Sequence, residues 1–277
     1  MLKKILLLSV VSVMTSHVVF SGEFAAADRG GKFTATYSNE EIVNRIKLAT
    51  KNGEIDVLDF FLAEAKQRGM KIRTGGLYVI AATNGHIHVI SYLVRRPHGL
   101  PAPTQDNIND AFYWAITNNH KHIMMYLLNP SNGLPLPNQD AANDAFAAAA
   151  MHDRSTIMYL LNESDKIGLP NELGINTAFV EALSHARLDN LRYILGRPKG
   201  IPLPKQSLIN DCYKGIVDNS DRVLPPEDRA EAISILRPYV SPEVVRQYEP
   251  DFIPPQKKKK SFLGNALWGS NQPVAVR

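Results

Sequence analysis

Two His-x-His pairs, His86/His88 and His120/His122, stand 34 residues apart. Histidine is the commonest protein metal ligand, so metal binding is the first chemistry they raise. Residues i and i+2 of a helix do not face one another, however. The later copies of this segment carry Asp153 and Arg187 in the His86/His120 column. The pairs therefore read as structural, and no metal or cofactor is expected. Cys212 is the single cysteine, so no intrachain disulfide can form. It stands where other copies have Ala and reads as a small buried thiol. G-x-S-x-G, Walker and dinucleotide-binding patterns are absent. The acids fall on expected helix surfaces and turns, and the residues call for no catalysis.

The elements that would position these side chains repeat. The Asn opening the phrase Asn-Asp-Ala-Phe recurs as Asn109, Asn143, Asn176 and Asn210, at intervals of 34, 33 and 34 residues. A second phrase is carried by Tyr92, Tyr126, Tyr159 and Tyr193, each followed by Leu or Ile. A third is Gly-Leu/Ile-Pro at Gly99, Gly133, Gly168 and Gly200. A large apolar column (Ile46, Tyr78, Phe112, Phe146, Phe179, Tyr213) precedes by three residues a small one (Ala49, Ala81, Ala115, Ala149, Ala182), broken at Ile216. Positions i and i+3 share a helix face, so bulk beside Ala lets helices approach closely while filling the space between them. Both columns, with the Tyr column, are expected in the inter-repeat core.

Each unit reads as a first helix, a turn rich in Asn or Gly, and a second helix with a buried stripe such as Ile123, Tyr126 and Leu127. Pro and Gly end that helix. An extended connector then leads to the Asn–Asp pair, expected to cap the next first helix. The unit containing Phe146 lacks one residue, expected to be missing from its inter-helix turn. A helical pair cannot bury its apolar faces alone, whereas stacked copies can. The fold class is all-α, an α-solenoid of about six helix-turn-helix repeats over residues 39–248. The last unit is altered: "PPED" opens its second helix, and "SPEVVRQY" reads as a short helix covering the end of the stack.

Segments such as "AATNGHIHVISYLV" (81–94) and "ATKNGEIDVLDFFL" (49–62) resemble ankyrin repeats, whose period of 33 residues also agrees. The family's Thr-Pro-Leu-His is replaced by Asp110-Ala-Phe-Tyr113, and its hairpin by a Pro-x-Pro-x-Gln connector. The resemblance implies a non-enzymatic protein-binding module whose first helices and connectors contact the partner. It also implies that His86 and His120 are structural. Val79, Tyr113, Ala147, Val180 and Lys214, one residue after the large column, are the partner-binding candidates. In a host-associated bacterium the resemblance would suggest an effector.

The ends differ from the body. Lys3 and Lys4, an apolar run and the small residues Ala25 and Ala27 read as a secretory signal peptide over 1–27, cleaved after Ala27, with Ser21 as an alternative. Residues 28–38 read as a linker and export to the periplasm or beyond is expected. Between 28 and 256 the chain carries 24 basic and 26 acidic residues, which argues against nucleic-acid binding. The excess charge lies in residues 249–277, read as a flexible tail. Lys257, Lys258, Lys259 and Lys260, followed by Phe262, Leu263 and Trp268, offer its only membrane contact. An envelope scaffold held to lipid by this tail is the alternative function, and a hydrolase with an unrecognised site a third.

Overall fold

The periodic apolar stripes fold as helices. The computed structural model describes residues 37–218 and 224–250. It contains fourteen α-helices in succession and no strand among the described residues. Six helical pairs follow one another. They are α1 (Asn39–Asn52) and α2 (Ile55–Gln67), α3 (Gly75–Thr83) and α4 (Ile87–Val94), and α5 (Gln105–Thr117) and α6 (Lys121–Leu127). Next come α7 (Gln139–Ala150) and α8 (Arg154–Asn162), followed by a single turn, α9 (Ser164–Ile167). After it come α10 (Glu172–Ser184) and α11 (Leu188–Leu195), then α12 (Gln206–Val217) and α13 (Pro226–Leu236). The short α14 (Pro242–Tyr248) ends the array. The first helices α1, α3, α5, α7 and α10 pack in chain order, and second helices form another layer, with α4 on α6, α8 on α11 and α11 on α13.

Burial follows the two columns. Ile46, Tyr78, Phe112, Phe146, Phe179 and Tyr213 are each at most 1% exposed, as are Ala49, Ala81, Ala115, Ala149 and Ala182. Each buried aromatic contributes about 1.5–3 kcal/mol of transfer free energy. The Tyr column departs from expectation. Tyr92, Tyr126, Tyr159 and Tyr193 are half-buried at the core margin, and the following Leu93, Leu127, Leu160 and Ile194 lie inside. At that margin Tyr92 Oη reaches Asp59, whereas Tyr78 is enclosed and its hydroxyl has no hydrogen-bond partner among the described residues. Cys212 is also half-buried, not enclosed.

The turn inside each of the first four units is gripped by the next unit. Nε2–H of His86 donates to Lys51 O at 2.8 Å, and that of His88 to Gly53 O at 2.9 Å. His120 and His122 repeat the pattern on Thr83 O and Gly85 O, both at 3.0 Å. The rings within each pair lie close, 5.4 and 5.9 Å between centroids. The helical i, i+2 rule does not govern them because His86 and His120 precede their helices. Gly53 and Gly85 sit under these rings at φ 78° and 81°; an added Cβ would approach His86 or His120 to 2.9 Å. Side chains are strained in that left-handed region.

In the unit containing Phe146 the missing residue is the left-handed one, which is Asn119 in the preceding unit and Ala186 in the following unit. His152 nevertheless reaches Thr117 O at 3.1 Å, and Asp153 caps α8. Asp153 Oδ2 also accepts from Lys121 Nζ of the preceding unit at 2.6 Å. Further on, Arg187 donates to Met151 O and Asn190 to Ala150 O.

The Asn–Asp pairs are not caps. The first helices begin four residues earlier, with Thr104, Asn138 and Asn171 as N-caps for α5, α7 and α10. The repeated Asn instead lies inside the first helix and bonds to the following unit. Asn109 Oδ1 accepts from Asn138 N–H at 3.2 Å, Asn143 from Asn171 at 2.9 Å, Asn176 from Lys205 at 2.9 Å, and Asn210 from Ser241 at 3.0 Å. The connector Gln adds a second rung: Gln105, Gln139 and Gln206 donate to Leu136 O, Leu169 O and Tyr239 O at 2.7–2.8 Å. Prolines leave these connectors without regular pairing of their own, and side-chain amides supply it.

Both boundaries move. Tyr37 and Ser38, read as linker, belong to the first unit. Tyr37 packs edge-on against Phe61 at 5.2 Å, and Ser38 forms a capping box with Glu41. Glu249, read as the start of the tail, accepts bonds from Tyr213 Oη and from Arg237 Nη2, the latter at 2.6 Å. The expected signal peptide with Ala27, the rest of the linker, and the tail with Lys257–Lys260 lie outside the described residues.

Candidate binding face

The five partner-binding candidates stand in register on the first helices but differ in accessibility. Val180 is exposed; Val79, Tyr113 and Lys214 are half-buried. Ala147 is 7% exposed, which corrects its reading as a surface position. It belongs to α7, whose residues from Ala145 to Ala150 are all buried, and a methyl side chain does not rise clear of flanking helices. Lys214 is turned to its own helix, pairing with Asp211 at 3.2 Å.

Val79 and Tyr113 line two separate grooves. Between α1 and α3, Val79, Ile80 and the exposed Leu48 form an apolar hollow of about 370 Å³, edged by Lys47 and Lys51. Between α5 and α7, Tyr113 stands beside Asp106, Asp110, Asp140 and Asp144 around a polar groove of about 500 Å³. None of these four carboxylates forms an ion pair with a described residue. Farther along, Leu173 and Val180 on α10 leave apolar surface in water, with Leu173 69% exposed.

Sequence reasoning missed the aspartates. They carry a signal: two carboxylates at i and i+4, repeated one unit later. Such like-charged pairs cost helix stability, a cost partly offset because Asp106 and Asp140 lie in the first turns of α5 and α7.

One further polar cluster joins the first two units. Asp59 Oδ1 accepts from Tyr92 Oη at 2.5 Å and from His98 Nε2 at 2.7 Å. Burial works against the charged carboxylate, but the bonds from Tyr92 and His98 outweigh it and hold Asp59 below its usual range. Burial, then the adjacent Asp59, pushes the Tyr92 phenol up. Both donors converge on one oxygen, so the arrangement joins units. No group of three or more His, Cys, Asp or Glu suited to a metal occurs among the described residues. No described helix is long and apolar enough to cross a membrane.

No family model matches the chain, and no curated protein or solved structure is significantly similar to it.

Proposed function

We propose that the chain is an exported α-solenoid of about six ankyrin-like units that binds another protein through its first-helix face, without catalysis. The observation carrying this reading is a division of polar labour. The joints between units satisfy their amides and imidazoles, whereas the grooves between first helices present four carboxylates without ion-pair partners among the described residues, beside accessible apolar groups. Core burial of a repeating aromatic column and contacts between successive units support a stacked array. The basic, apolar and small-residue order of positions 1–27 supports export.

Site-specific photo-crosslinkers test the binding face. Replacing Tyr113 or Val180 is expected to capture the same partner. The exposed Met125 and Met158 on the second helices are expected to capture none of it. Equal capture from both layers would end the assignment of the face.

A further inference from the structure

We propose that the first-helix face is occupied in the free protein by the chain's own C-terminal segment, residues 257–268. This rests on the first-helix face being the binding face and names its occupant. Two independent features of the described surface fit two features of the segment in the same order.

The polar groove offers Asp106, Asp110, Asp140 and Asp144 without ion-pair partners among the described residues, and the segment offers four consecutive lysines with no acid from 257 onward. The hollow between α1 and α3 exposes Leu48, Val79 and Ile80, and the segment continues with Phe262, Leu263 and Trp268. Lys47 and Lys51 at its edge can lie against an indole face.

Length sets the direction. Packed helices stand about 8–10 Å apart. From α12, against which α14 packs, the polar groove is therefore about 20–30 Å along the array, and the apolar hollow about 40–50 Å. An extended chain spans about 3.5 Å per residue. The description ends at Pro250, so Lys257–Lys260 reach about 25–35 Å and Trp268 about 60 Å. The lysines arrive at the carboxylates first, and the aromatic end continues to the hollow. In the reverse order the lysines, reaching about 25–35 Å, would fall short of the hollow.

The segment thus acts as a tethered competitor. A partner must bring basic and apolar groups of its own and displace the tail.

The chain contains two tryptophans, Trp114 and Trp268, so Trp114→Phe in the full chain leaves Trp268 as sole reporter. Expected is a blue-shifted Trp268 emission and several-fold weaker acrylamide quenching than in a free peptide of residues 256–277. Both should revert to the peptide's values in about 1 M salt, where screening shortens to about 3 Å. They should also revert when Asp106, Asp110, Asp140 and Asp144 are changed to Asn, with unchanged circular dichroism and melting. Solvent-like emission in the unaltered face overturns the proposal, and so does protection that persists in the four-Asn variant. Protection that appears only with rising protein concentration assigns the groove to another copy and overturns it. A blue shift only after adding phosphatidylserine vesicles assigns the tail to lipid and also overturns it. The crosslinking result at Tyr113 and Val180 stands or falls separately, because it reads partner capture, not Trp268.

Discussion

The joints between units and the open face of the first helices use the same residue types differently. At the joints Asn143, 6% exposed, accepts from a backbone N–H of the next unit while Gln139 bridges to the connector. A few residues away Asp140 and Asp144 face a groove with no counter-ion from the described chain. Polar groups buried at a joint are obliged to pair, because an unmade bond there costs its desolvation penalty. Asp106, Asp110, Asp140 and Asp144 on the face are exposed and carry no such obligation. The contrast separates what holds the array together from what it presents.

Three variants probe that contrast, beginning with the greatest cost. Asn143→Ala removes the acceptor for Asn171 N–H and is expected to destabilise by about 2 kcal/mol, read as a lower urea midpoint with unchanged m-value. A neutral result would mean that the amide rungs do not couple the units.

Asp153→Asn keeps the helix cap, since Asn and Asp cap equally well, but discards the charge facing Lys121. Hydrogen bonds from Lys121 and Ser155 lower the Asp153 pKa from 3.8 to about 2. A lowered folded pKa contributes stability that is present above the ordinary value and lost as pH falls through the lowered one. The variant should be less stable than wild type by at most about 1 kcal/mol at neutral pH, because the pair is exposed. That gap should close as pH drops from 3.8 towards 2, in melting curves taken across the range.

Changing Asp106, Asp110, Asp140 and Asp144 together to Asn should move stability least, within about 0.5 kcal/mol. Relief of two like-charged pairs opposes the loss of acids near helix N-termini. A drop as large as that of Asn143→Ala would place the aspartates among the joints and erase the distinction.

The period, the paired large and small columns and the helical class are legible in the sequence because burial repeats with the chain. Phe112, Phe146 and Phe179 are recognisable as one position for that reason. The Asn–Asp pairs were misread as caps for a physical reason. An Asn oxygen accepts a backbone N–H in either role, and only three-dimensional packing reveals that the donor lies 28–31 residues ahead. The imidazole pairs posed the same difficulty, since their acceptors belong to the preceding turn. Ala147 was misplaced because register along a helix fixes direction but not how far neighbours rise around it. The groove aspartates announced themselves only through an unfavourable i, i+4 repetition.

The bond from Ser241 N–H to Asn210 has a consequence for assembly. A row of interchangeable pieces carries an inherent hazard, because its trailing edge resembles every internal edge and could receive the leading edge of another molecule. Here the final acceptor is filled by the chain's own backbone, and Tyr239 O supplies the matching rung to Gln206. That edge is stoppered from within, so head-to-tail fibre growth has no vacant socket there.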